Sequence, residues 1–261
     1  MSYAEAYATE KTCIFPWDAV NAPLAKDAVL HAPLFTRPVV GEQPIRQFYQ
    51  ASHANAGPVR IRWSLSGDDG SLLIGDHRVD GHEVFSGFWL RHDASGAVIE
   101  LSHGMRPFAH LPPYHDAMRR QLAGLVPDEH WELDETARVT GAWPGKETFP
   151  PMSFEEDARL FSPLVGEILQ GGERVRNALA EAGSVYGTRL LVASFRERGL
   201  FGQVWEAALD GHVVRCVGLI VISPAGAVKD VIGCMLPYRV QQLIYRRLKE
   251  GAGIRPEHSH V

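Results

Sequence analysis

The chain has 261 residues, 45% hydrophobic and 22% charged, the balance of a soluble globular protein. Its 31 acidic and 26 basic residues leave a net charge of −5, which argues against a nucleic-acid partner, since such proteins carry a basic face. No apolar run reaches the roughly 20 residues of a membrane span, and no basic-then-apolar leader opens the sequence. Three scattered cysteines, Cys13, Cys216 and Cys234, make neither a disulfide framework nor a closed zinc site. The expectation is a cytoplasmic protein with reduced thiols, no membrane, no metal and no cofactor.

In chain order, a short proline-broken segment (16–26) and a short strand precede a helix whose Ile45, Phe48, Tyr49 and Ser52 share one face at helical spacing. Strands follow over 59–65, 71–79, 82–92 and 97–108. Asp80-Gly81 between the second and third is the commonest short hairpin signal. A further helix carries Leu111, Tyr114, His115 and Met118 on its apolar face. The stretch 125–152 is rich in helix breakers (Pro127, Pro144, Pro150, Pro151) and reads as a linker, with Trp131 and Trp143 to pack it down.

The same order of elements then recurs. DAVLHAPL from Asp27 reappears as DARLFSPL from Asp157, and Asp80-Gly81-His82 as Asp210-Gly211-His212, at a constant offset of 130. Over 27–107, 18 of 81 positions are identical without a gap, which marks an internal duplication. The units span 1–124 and 153–255, joined by 125–152 and followed by a polar tail, 256–261. Each reads as helix plus antiparallel, hairpin-linked sheet, an α+β layer. RLLVASF (189–195) and VVRCVGLIVI (213–222) are apolar on both faces, so the second sheet needs a second cover. The first unit's sheet is the economical one. The expected architecture is a pseudo-dimer packed sheet to sheet, either monomeric in solution or paired again as a homodimer.

Asp27-Ala28, Pro33, Gly41, Ile45-Arg46 and Phe48-Tyr49 resemble the nuclear transport factor 2-like superfamily, which includes SnoaL-like cyclases and ketosteroid isomerases. His31, Asp76, Arg78, Glu100 and Arg106-Pro107 resemble a SnoaL-like subgroup of it. The resemblance covers about 27–120 and 157–248 and implies two tandem cone-shaped α+β barrels. It implies no single chemistry, because this fold serves isomerases, cyclases, lyases and non-catalytic binders. Both isomerase carboxylate positions are lost: the base position holds Ala32 and Ser162, and the second acid position holds Phe88 and Gly218.

Nine of the twelve histidines lie before residue 131. His103 falls where SnoaL-like cyclases tend to carry an acid/base aspartate. An imidazole between Leu101 and Met105 suits proton transfer, and a core histidine is the alternative. Asp76 and Arg78 share one face of their strand and complete the candidate catalytic set. His31, Tyr49, Trp63, Phe88, Leu101 and Met105 are the candidate substrate contacts. In the second unit His31, Asp76, Arg78 and His103 become Phe161, Glu206, Ala208 and Gly233. That unit is therefore expected to be mainly structural, with Glu206 and Arg215 its remaining polar candidates and natural partners of each other. The expected function is a cofactor-independent cyclase, isomerase, dehydratase or lyase acting on an apolar small molecule in the first barrel. A non-catalytic binding or scaffold protein of the same fold is the alternative.

Overall fold

The computed structural model of the protein describes residues 11–133, 139, 143–145, 151–186 and 188–251. The polar tail, the first ten residues and much of the expected linker lie outside these.

The first half contains β1 (Lys11–Cys13), α1 (Pro16–Ala19), β2 (Leu24–His31), β3 (Val39–Val40), α2 (Glu42–Ala56), β4 (Val59–Gly67), β5 (Gly70–Val79), β6 (His82–His92), β7 (Val98–Arg106) and α3 (Leu111–Gln121). The second half contains β8 (Phe154–Phe161), β9 (Leu169–Gln170), α4 (Gly172–Tyr186), β10 (Leu190–Glu197), β11 (Leu200–Leu209), β12 (His212–Ile222), β13 (Val228–Leu236) and α5 (Tyr238–Gly251). From β2 to β7 the elements recur as β8 to β13, with α4 for α2, at the sequence offset of 130. Both Asp-Gly turns form as expected. Asp80 and Gly81 have φ of 48° and 81°, and Asp210 and Gly211 have 50° and 82°, the left-handed pair that a two-residue hairpin loop requires.

The strands run β1-β4-β5-β6-β7-β13-β12-β11-β10, mostly antiparallel. The exceptions are β2 on β7 and β8 on β13, which pair parallel. A single pairing, Met105 with Met235, joins the two halves edge to edge. One face of the first sheet carries Leu73, His77, Val84, Ser86, Phe88, Leu101, His103 and Met105, as the registers of β5, β6 and β7 dictate. It packs under α2 and α3 in one continuous core with Ile45, Phe48, Tyr49, Tyr114 and Met118. Trp131 joins this core, its ring 4.7 Å from that of Phe35.

The opposite face meets the second half. Leu65, Leu72, Ile74, Phe85 and Trp89 share one buried cluster with Val204, Val217, Leu219, Val221, Ile232 and Cys234. The backbones come very close here. A Cβ on Gly87 would sit 3.0 Å from Cys234 Cβ and 3.1 Å from Val217 Cβ, and one on Gly104 would collide with the Cys234 carbonyl. This contact explains the doubly apolar second sheet. The helix-covered side chains of the second half do not form one core. They fall into two clusters, one around Trp205, Val214, Met235 and Ile244, the other around Leu160, Val175, Ile220 and Val231. Among the described residues no helix is long and apolar enough to cross a membrane.

Candidate functional site

His103 lies on β7 directly opposite Phe88 on β6. It is 1% exposed, with ring centroids 4.4 Å from Phe88, 5.7 Å from Tyr49 and 6.2 Å from Phe48. Its Nε2 lies 3.0 Å from Ser86 Oγ, and His77 Nε2 lies 3.1 Å from the same oxygen. Burial pushes His103 well below its ordinary value, aided by the neighbouring His77; burial also lowers His77 to about 4, against the pull of Asp76. Both rings are neutral near pH 7. Their Nδ1 atoms and the Tyr49 hydroxyl have no hydrogen-bond partner in this core. Phe88, Leu101, Met105 and Tyr49 fill the same space against one another, so these four expected substrate contacts are core side chains.

The expected triad of His103, Asp76 and Arg78 does not assemble. Asp76 pairs in register with Phe85, and His103 with Phe88, which puts the two side chains on opposite faces of the sheet. Asp76 instead binds Arg60, with Nη2 at 2.7 Å, and the Arg62 Nε. Arg78 is exposed. Trp63 is also misplaced by the expectation: it sits beside Ile74, on the face turned to the second half.

The remaining polar candidates meet at the junction of the halves. Arg215 lies opposite Glu206 in the β11–β12 register and bonds its Oε1 through Nη2 at 2.6 Å and Nε at 2.9 Å. Its Nη1 reaches Glu100 at 3.3 Å and Ser102 Oγ, both in the first half. Glu100 also contacts His31 at 3.4 Å and Arg91 at 2.8 Å. The His31 hydrogen bond first, then Arg91 and Arg215, hold Glu100 down to about 2 despite its burial. His31, Glu206 and Arg215 line a crevice of about 270 Å³ with Thr36, His212 and Pro237. Its cations and anions already neutralise one another.

The second half, expected to be mainly structural, holds a cavity of about 420 Å³. The cavity occupies the positions that the aromatic core fills in the first half. Phe48, Tyr49, Ser52, Phe88 and His103 correspond to Ala178, Leu179, Ala182, Gly218 and Gly233, and all five of the latter line it. The paired glycines keep the register of their counterparts: Gly218 faces Gly233 as Phe88 faces His103. Trp205, Tyr186, Cys216, Met235 and Gln203 form further walls, and exposed Val165, Glu167, Arg174 and Asn177 stand at the mouth. Burial raises the Cys216 thiol to about 12 and lifts the Tyr186 hydroxyl above its ordinary range, so neither changes charge near neutrality. These positions were visible in the repeat alignment, where large-to-small exchanges at Gly218 and Gly233 signal space as much as lost chemistry.

No family model and no curated protein matches the chain. Among solved structures, it is similar to a bacterial protein with a cystatin-like fold from Silicibacter pomeroyi, at 18% identity and a TM-score of 0.37, over 39% of this chain and 72% of the other. It is also similar to a steroid delta-isomerase from Pseudomonas aeruginosa, at 23% identity and a TM-score of 0.36, over 39% of this chain and 76% of the other.

Proposed function

We propose that the protein is a fused pair of nuclear transport factor 2-like units in which the second unit binds an apolar small molecule without covalent chemistry. On this reading the first unit is a filled structural partner, and the intersheet contact makes the pair a covalent pseudo-dimer. The observation that carries it is the exchange of an aromatic core for an apolar cavity at equivalent positions. A cavity of about 420 Å³ falls within the usual range for small-molecule sites. Its inner walls offer Cys216, Tyr186 and Gln203, none of which transfers protons readily near pH 7. The carboxylates that line it, Glu167 and Glu181, come from the 163–168 loop and α4. Binding is therefore favoured over acid–base catalysis, and the proton carrier expected at His103 has no role in it.

Native mass spectrometry of the purified chain, together with titration by an environment-sensitive apolar dye, tests the reading. Ala178→Phe restores the side chain of the first unit and should abolish dye binding while the protein stays folded. Undiminished binding by the folded variant would refute the assignment to this cavity.

A further inference from the structure

We infer that the first half governs access to the second-half cavity, with Arg106 as the positioning residue that latches the 162–168 loop across its mouth. The inference rests on the binding reading above and goes beyond it, since it gives the filled half a part in binding.

The loop joins β8 to β9, and Ser162, Pro163, Leu164, Val165 and Glu167 line the cavity from it. Its backbone is held from the first half. Arg106, the last residue of β7, donates through Nε to the Ser162 carbonyl at 3.0 Å and through Nη2 to the Val165 carbonyl at 3.4 Å. The Phe108 amide donates to the Pro163 carbonyl at 2.9 Å. Arg106 is 3% exposed, and its guanidinium lies 5.6 Å from the ring centroids of both Phe85 and Phe161. Burial lowers it to about 10, so it stays charged at pH 7. Among the described residues its hydrogen-bond partners are carbonyls, not carboxylates. A buried cation held in this way is a costly means of fastening a loop.

The equivalent contact, at the offset of 130, shows what the cation replaces. The Tyr238 amide donates to the Pro33 carbonyl at 2.6 Å, as Phe108 does to Pro163. Arg106, however, becomes Leu236, which offers the 32–38 loop no donor. That loop needs none. Its Leu34 and Phe35 are buried in the first core, with the Phe35 ring 5.4 Å from Phe48. The second loop has no such core beneath it, because Ala178 stands in the place of Phe48 and lines the cavity. Only its first three residues are buried, and Val165 to Ile168 are exposed. Arg106 therefore fastens at Val165 what packing fastens at Phe35. A polar clasp opens and recloses without unpacking a core, which suits a mouth that has to admit a ligand.

Hydrogen exchange and stopped-flow fluorescence with prodan, an apolar environment-sensitive dye, test the latch on the full chain. Arg106→Leu installs the residue type found at the equivalent place, Leu236. The 164–168 amides of this variant should exchange about tenfold faster, the worth of one charged hydrogen bond, with those of 34–37 unchanged. Prodan should enter and leave about tenfold faster, with its Kd within about twofold, because a looser latch opens the mouth without altering the cavity. A purely structural Arg106 would lower Tm and leave both rates alone. Loop exchange or prodan rates equal to the parent's would overturn the latch and leave the binding reading standing. Absence of prodan binding to the parent, or prodan binding undiminished by Ala178→Phe, would overturn the binding reading itself and the latch with it. Should Arg106→Leu fail to fold, Arg106→Lys keeps the buried charge but cannot span two carbonyls, and the same outcomes apply.

Discussion

His77 and His103 share one hydroxyl: their Nε2 atoms lie 3.1 and 3.0 Å from Ser86 Oγ, on the helix-covered face of the first sheet. Burial holds both rings neutral, His77 with a value of about 4 and His103 well below 6.5. In the unfolded chain both titrate near 6.5. Between about pH 6.5 and 4 the unfolded state therefore binds more protons, and stability falls as pH is lowered through that window. Glu100 adds to the loss lower down, since its carboxylate, held to about 2, is favoured over the unfolded carboxylate until that pH.

The first prediction follows from this linkage. His103→Leu should flatten the dependence of Tm on pH between 6.5 and 4, because one of the two buried rings no longer resists protonation. Ser86 Oγ keeps His77 as a partner, so the variant does not strand the hydroxyl. A pH profile identical to the parent's would show that His103 is not the buried neutral group described.

How much of this was legible beforehand differs between fold and site. The repeat, the Asp-Gly hairpins and the sheet-on-sheet cover of 213–222 follow from local turn chemistry and alternation, which sequence carries directly. The face of each side chain was only partly available. The Asp80-Gly81 turn places Val79 opposite His82 and hence Asp76 opposite Phe85. Across the next hairpin a bulge between Arg91 and His92 shifts the register by one residue, so His103 stands opposite Phe88 instead of Gly87 and faces away from Asp76. What the sequence did not carry was which half would be full. That depends on how Phe48, Tyr49, Phe88 and His103 close on one another in three dimensions, a property of side-chain packing across three elements. Polar residues drew attention to the first half, whereas small ones mark the space in the second.

The second prediction concerns that packing. Phe88 is fully buried between His103 and Tyr49, so Phe88→Ala should cost about 3–5 kcal/mol through lost transfer energy and a new cavity. Chemical denaturation measures it. A cost below about 1 kcal/mol would mean that the first core collapses around the gap.

The third prediction addresses the contact between the sheets. Gly104 has no room for a Cβ against the Cys234 backbone carbonyl, which cannot swing aside as a side chain could. Gly104→Ala should lower stability by about 1–3 kcal/mol, the usual toll of overpacking. The surface turn at Gly96 is the control: a Cβ there meets nothing within 4 Å, but its φ of 85° adds backbone strain alone. Near-native melting of Gly104→Ala would require the two sheets to sit farther apart than they do here.

The fourth prediction tests the polar bridge between the halves. Arg215 is anchored to Glu206 in its own half and to Glu100 and Ser102 in the other. Its side chain is only 15% exposed, and those of Glu206 and Glu100 are 19% and 17%. Arg215→Met retains most of the apolar stem but strands the Glu206 carboxylate, while Glu100 keeps Arg91 and His31. Breaking a buried pair from one side leaves an uncompensated charge, so the single variant should lose about 2 kcal/mol or more. Glu206→Gln in the Arg215→Met background removes the stranded charge and should recover part of that loss. The coupling energy from a double-mutant cycle, read by urea denaturation at pH 7, decides the matter. A coupling near zero would reduce the pair to a solvated contact, and the apolar intersheet cluster alone would then hold the halves together.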